Sequence, residues 1–122
     1  MCLEALSYRW LQKGWAIYGT YRTCSSATDD LKSQGAELVS CDLADARSMQ
    51  GASSELQSLC PQWDLLVLCP GTQDPVGAFQ QCDIDQWEQS VRVNFISQMR
   101  LIHELLPSRR VGGSQSPCVL LF

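Results

Sequence analysis

Four strand-like runs separated by segments with helical spacing predict an α/β fold with a parallel sheet and helices on both faces. Residues 15–21, 36–41, 65–69 and 118–122 are the strand-like runs, rich in aromatic, β-branched or leucine side chains. Run 65–69 is also continuously apolar instead of alternating, the pattern of a strand covered on both faces. Intervals this short between parallel strands imply right-handed crossovers through the intervening helices.

The elements follow in order. Leu3, Leu6, Trp10 and Leu11 recur at helical spacing and Gly14 stands where a left-handed C-terminal cap belongs, so 3–13 is a helix. Strand 15–21 lies between Gly14 and the polar Thr23, Ser25 and Ser26, and tolerates Gly19 inside it. A short helix over 27–34 ends at Gly35, and 36–41 is the second strand. Met49, Ala52, Leu56 and Leu59 step by three or four until Pro61 stops them, giving a helix over 46–60. Strand 65–69 runs into a loop marked by Pro70, Gly71, Asp74, Pro75 and Gly77. Asp85 with Glu88 three residues on has the form of a capping box. From there Trp87, Val91, Phe95, Met99, Ile102 and Leu106 carry one apolar stripe along the longest helix, as far as Pro107. Residues 109–116, with Gly112 and Gly113, make a flexible connector before strand 118–122.

A chain of 122 residues has room for one domain, taken here as residues 1–122. Its formal net charge of -4 supplies no general attraction to phosphate backbones or anionic lipid, which argues against a nucleic-acid binder. The longest apolar runs, 65–69 and 118–122, fall far short of the roughly 20 residues a membrane helix needs. Glu4 and Arg9 break the pattern of a secretory signal. Seven scattered cysteines without a C-x-x-C pair suit mostly buried thiols in a reducing compartment, hence a cytoplasmic location. With His103 as the one histidine, no His-rich metal centre is expected, and its place near a helix C-terminus suits the helix dipole.

In an open parallel sheet ligands bind beyond the carboxyl ends of the strands. Arg22, with Ser25 and Ser26, follows the first strand; Asp42 and Leu43 follow the second; Pro70, Gly71 and Thr72 follow the third. The helix-to-strand passage 11–22, then Cys41-Asp42-Leu43, then 64–72, then 87–107 with Val93-Asn94-Phe95 inside, together resemble the short-chain dehydrogenases/reductases along nearly the whole chain. That resemblance implies an NAD(P)-binding, Rossmann-like doubly wound sheet and a hydride transfer between a nicotinamide and a carbonyl or alcohol carbon. It places Arg22 at the adenosine ribose, Asp42 beside the adenine, Gly71 beside the nicotinamide-side ribose, and Asn94 as the helix asparagine of the catalytic tetrad, with Leu43 also among the cofactor-binding residues.

An arginine after this strand pairs with the 2'-phosphate of NADP, where an acidic residue would bind the 2'-hydroxyl of NAD, so NADP(H) is favoured over NAD(H). Simpler readings stand beside these. Arg22 is then an exposed arginine, Asp42 a turn or cap residue, Gly71 a turn glycine, and Asn94 a helix asparagine bonded to nearby backbone.

Against the family pattern, no glycine-rich turn precedes Leu3, and none of Tyr8, Tyr18 and Tyr21 has a lysine four residues on. Leu68-Cys69-Pro70-Gly71 replaces the common Asn-Asn-Ala-Gly. The chain is therefore expected to be an incomplete sheet, a fragment that binds the cofactor weakly and does not catalyse alone. In the family order 3-2-1-4-5-6 the absent first strand lies between strands two and four. Two apolar edges should then stand open in the middle of the sheet, with poor stability unless a complementing chain or second copy fills the gap. The alternative function is a non-catalytic interaction or dimerisation module, pairing through that gap or through the long helix. A nucleotide-dependent transferase on another doubly wound sheet is disfavoured because an acidic residue usually takes the place of Arg22 there.

Overall fold

The protein is represented by a computed structural model that describes residues 2–112 and 118–121. Helix α1 (Cys2–Gln12) leads into β1 (Ala16–Tyr21), α2 (Ser26–Ser33) and β2 (Glu37–Ser40). Next come α3 (Ala46–Leu59), β3 (Leu65–Val67), α4 (Ile84–Val91), α5 (Ser97–Leu105) and β4 (Cys118–Leu121). Local chemistry sets most boundaries. Gly14 and Gly35 take φ of 80° and 102°, a region that side chains with a Cβ avoid, and so turn the chain out of α1 and α2. Ser25 caps α2 through a reciprocal pair with Thr28: Thr28 N donates to Ser25 Oγ (3.3 Å) and Ser25 N to Thr28 Oγ1 (2.8 Å). Asp45 caps α3 by accepting from Arg47 N at 2.9 Å.

The sheet is parallel and continuous, in the order β2-β1-β4-β3. The expected gap is not there. β4 lies between β1 and β3, with Ala16 opposite Cys118 and Gly19 opposite Leu121 on one side, and Leu65 opposite Val119 on the other. The edges of β1 and β3 carry N–H and C=O groups that need partners, and an uncharged strand that leaves Leu120 1% exposed supplies them. The reading of 65–69 as covered on both faces holds in part, since Leu66 packs on one core and Val67 on the other. β3 is short and sits at the sheet edge, so Leu65 is exposed and Leu66 and Val67 are half-buried.

Side chains alternate across the sheet into two cores. Leu38 and Val67 turn toward Ile17, Leu31 and Ala36 under α1 and α2. Val39 and Leu66 turn the other way, toward Met49 and Leu56 of α3 and Leu101 and Leu105 of α5. Trp63 ties this second side together. Its indole Nε1 donates to Leu105 O (2.9 Å), its backbone pairs with Ser108 and Arg110, and Arg110 forms an ion pair with Asp64 at 3.1 Å.

Three further expectations change. The cap of α4 is Asp83, which accepts from Asp85 N at 2.9 Å, and not Asp85, which lies in the first turn. The apolar stripe of the long helix faces outward: Val91, Phe95 and Met99 are 51%, 59% and 52% exposed. A π-helical turn (Arg92–Ile96) breaks the regular phase between α4 and α5, and the sheet side is taken by Ser90, Ser97, Leu101 and Leu105. Small serines let the helix approach closely, so the buried face is not the most apolar one. Finally, the cysteines whose burial is described are not mostly buried thiols. Cys24 and Cys69 are exposed and Cys82 is half-buried, because they fall on surface loops, and Cys60 is disulfide-bonded. Within the expected connector 109–116, residues 113–116 lie outside the described residues, as does Phe122 of the last strand.

Candidate functional site

The carboxyl ends of β1, β2 and β3 open onto one cleft of about 250 Å³. Arg22, Asp42, Leu43 and Gly71, which follow three different strands, all line it. Thr20, Tyr21, Cys41, Pro70 and Val93 complete the wall. Arg22 also borders a neighbouring polar cavity of about 410 Å³ with Thr72, Asp74, Gln86, Gln89 and Ser90.

Asn94 is the exception. It lies on the π-helical turn next to Val93, but its side chain is directed to the loop after β3 and does not line the cleft. Its Oδ1 accepts from Thr72 N (2.8 Å) while its Nδ2 donates to Thr72 O (2.9 Å) and to Ser90 Oγ (3.2 Å). The amide thus mimics a backbone partner for Thr72. Gln98, one turn on, donates from Nε2 to Asn94 O (3.0 Å) and to Pro70 O (3.1 Å). Together these bonds hold Pro70-Gly71-Thr72 against the helix.

The other side of the cleft is braced differently. Ser97 Oγ donates to Leu43 O at 2.6 Å, fixing the turn after β2 to α5. Asp42 Oδ1 accepts from Ala44 N (2.9 Å) and Asp42 N donates to Ser48 Oγ (2.8 Å), so Asp42 does serve as a turn residue, with Oδ2 left over. Arg22 is exposed and makes no hydrogen bond or ion pair among the described residues. Next to it, Lys32 sits 4.5 Å over the Tyr21 ring and its Nζ donates to Tyr21 Oη at 3.4 Å. Burial, reinforced by the Asp42 carboxylate, pushes the Cys41 thiol up to about 11, so it remains protonated in the cleft wall.

Gly71 needs no glycine for its backbone: its φ is not in the positive region, and a Cβ there would meet Asn94 Oδ1 at 3.6 Å, an ordinary contact. The residues that sequence reasoning missed are of two kinds. Val93 and Tyr21 adjoin chosen positions and could have been taken with them. Gln98 and Ser97 act across 28 and 54 residues, and no local pattern marks them. Among the described residues no group of three His, Cys, Asp or Glu side chains could hold a metal ion, and no helix is long and apolar enough to cross a membrane.

Comparison with known proteins places this arrangement. Residues 4–116 match a family model described as enoyl-(acyl carrier protein) reductase. No curated protein sequence matches the chain. Among solved structures, a short-chain dehydrogenase/reductase from Serratia marcescens is 22% identical with a TM-score of 0.76, over 97% of this chain and 49% of that one. A short-chain dehydrogenase from Streptomyces avermitilis is 25% identical with a TM-score of 0.75, over 84% of this chain and 38% of the other. An NADPH-dependent reductase of bacilysin biosynthesis shares the fold at 14% identity and a TM-score of 0.71, over 87% of this chain and 47% of that one. The chain thus spans less than half the length of each of these structures.

Proposed function

The chain belongs to the short-chain dehydrogenase/reductase family, and on that premise we propose that it holds the adenosine end of NADP(H) as part of a reductase acting on a carbonyl or alcohol carbon. The observation that carries this reading is the single cleft lined by Arg22, Asp42, Leu43 and Gly71. Its volume, about 250 Å³, lies below the roughly 300–1,000 Å³ of whole ligand sites, so it suits one moiety of a dinucleotide.

Each wall offers a matching interaction. The free guanidinium of Arg22 would pair with a 2'-phosphate through charge-assisted hydrogen bonds. The unused Oδ2 of Asp42 would accept from the adenine amino group, and Leu43 and Val93 would cover the ring. Gly71 leaves room for a ribose to approach the backbone, a reason for glycine that the fold itself lacks. When bound, the cofactor supplies the carbon that gives or takes the hydride. Asn94, with its side chain spent on Thr72, would act as a positioning residue for the Gly71 turn. The 122 residues contain no Tyr-x-x-x-Lys, so binding without turnover is the expected behaviour of this chain alone.

Titration with NADPH, NADH, 2',5'-ADP and AMP tests the reading. The 2'-phosphorylated ligands should bind more tightly, and Arg22→Ala should remove the difference. Equal affinities in the unaltered protein, or no binding of any of the four, would overturn it. A second reading, a non-catalytic interaction module, draws on the exposed apolar residues Val91, Phe95 and Met99 along α4 and α5. It predicts self-association that Phe95→Glu abolishes.

A further inference from the structure

The crossover from β3 to β4 has the opposite hand to the other two. β1 to β2 steps toward one edge of the sheet with α2 on the Ile17 face. β2 to β3 steps toward the other edge with α3 on the opposite face. Reversing both direction and face preserves hand, so these two connections share one. β3 to β4 then returns by one place, yet α5 lies on the same face as α3, where Leu101 and Leu105 pack with Leu56 and Leu120. Direction is reversed while the face is kept, and the hand is inverted.

Parallel connections within one sheet are right-handed in about 98% of cases, because a right-twisted strand feeding a right-handed helix packs back on the sheet only that way. The order of the strands therefore conflicts with the path of the chain at this one connection. β4 is nonetheless well placed as a strand. It is bonded on both sides and buries Leu120 to 1% exposure.

From this conflict we infer that β4 is an exchangeable strand, donated by each of two copies of the chain into the slot between β1 and β3 of the other. Exchange keeps every pairing of the slot, Ala16 with Cys118 through Gly19 with Leu121 and Leu65 with Val119 through Val67 with Leu121. It replaces the inverted crossover by a connection between copies, to which the hand rule does not apply. The occupant is specified by the slot itself. A strand there is flanked on both sides and lies between two helical layers, so it must be short, uncharged and parallel to β1, and Cys118–Leu121 is the segment seen to fit. Exchange of an identical element is a low-cost route to a dimer, since the interface already exists within one copy. This inference is independent of the cofactor reading.

The test uses the full chain. Light scattering after size-exclusion chromatography should give twice the 13.6 kDa chain mass. Equal amounts of ¹⁵N-labelled and ¹³C-labelled chain are then unfolded and refolded together, and contacts between the Tyr18 amide of one copy and Leu120 of the other are recorded by isotope-filtered spectroscopy. Intermolecular Tyr18–Leu120 contacts, in register with the ladder, are the expected result. A monomeric mass, or a dimer in which these contacts stay within each chain, overturns the inference. Phe95→Glu separates strand exchange from association through the exposed helix face. Retention of the doubled mass in that variant supports exchange, and its loss counts against it.

Discussion

The two sides of the cleft hold their side chains in opposite ways. At the ends of β1 and β2, Arg22 has no protein partner and Asp42 keeps one carboxylate oxygen unused among the described residues. At the end of β3, Asn94 spends its amide on Thr72 and Ser90, and Gln98 donates to the backbone carbonyls of Pro70 and Asn94. The difference separates residues that the fold requires from residues that it does not. A polar group bonded within the protein is accounted for by the fold, whereas an exposed cation beside a cleft stays free to meet solvent or a ligand.

Substitutions can break or sharpen that division. The largest effect is expected where the β3 side is anchored. Leu105→Ala removes a side chain with 0% exposure from the core behind Trp63 and should cost about 2–5 kcal/mol in urea unfolding. Asn94→Ala should follow, at about 1–3 kcal/mol, because Thr72 N and O lose their partners together. If Asn94→Ala leaves stability unchanged, the contrast between the two sides fails.

Arg22→Ala should behave in the reverse manner. Stability should move by no more than about 0.5 kcal/mol, while NADPH affinity falls about tenfold, equivalent to about 1.4 kcal/mol, with NADH affinity unaltered. Gly71→Ala sharpens the same point. A Cβ finds space in the protein at 3.6 Å from Asn94 Oδ1, so unfolding should not change while dinucleotide binding weakens.

The smallest effect concerns Cys41 in the cleft wall. Its thiol rises from the ordinary 9.0 to about 11 on burial, so from pH 9 upward the unfolded chain loses this proton before the folded one does. Fewer protons on the unfolded state mean that stability falls as pH rises, with the loss spread between about pH 9 and 11. Stability of the protein and of Cys41→Ala across that range would show the slope in the first and a reduced slope in the second. Alkylation at pH 8 should reach exposed Cys24 and Cys69 well before Cys41.

Much of this was legible in the residues. The helices end where Gly14, Gly35 and Pro61 stand, because the left-handed cap and the missing proline N–H act within a turn of the chain. The four cleft residues were legible for a related reason: in a parallel sheet the carboxyl ends of all strands point the same way, so the residue after each strand arrives at a common rim. The face of the long helix was not legible. Its stripe of Trp87, Val91, Phe95 and Met99 marks an apolar surface, but Ser97 and Leu101 meet the sheet, and which surface is covered depends on the neighbours available.

What the residues by themselves determined is the succession of helices and strands, the parallel α/β class and the collection of Arg22, Asp42, Leu43 and Gly71 at one end of the sheet. Only the tertiary structure decided that β4 stands between β1 and β3, that Asn94 serves the Thr72 turn, and that the apolar helix stripe faces outward. The physical reason is the reach of the forces involved. Caps, turns and periodicity act over a few neighbouring residues, whereas an open strand edge or an uncovered face takes whichever partner the whole chain brings to it.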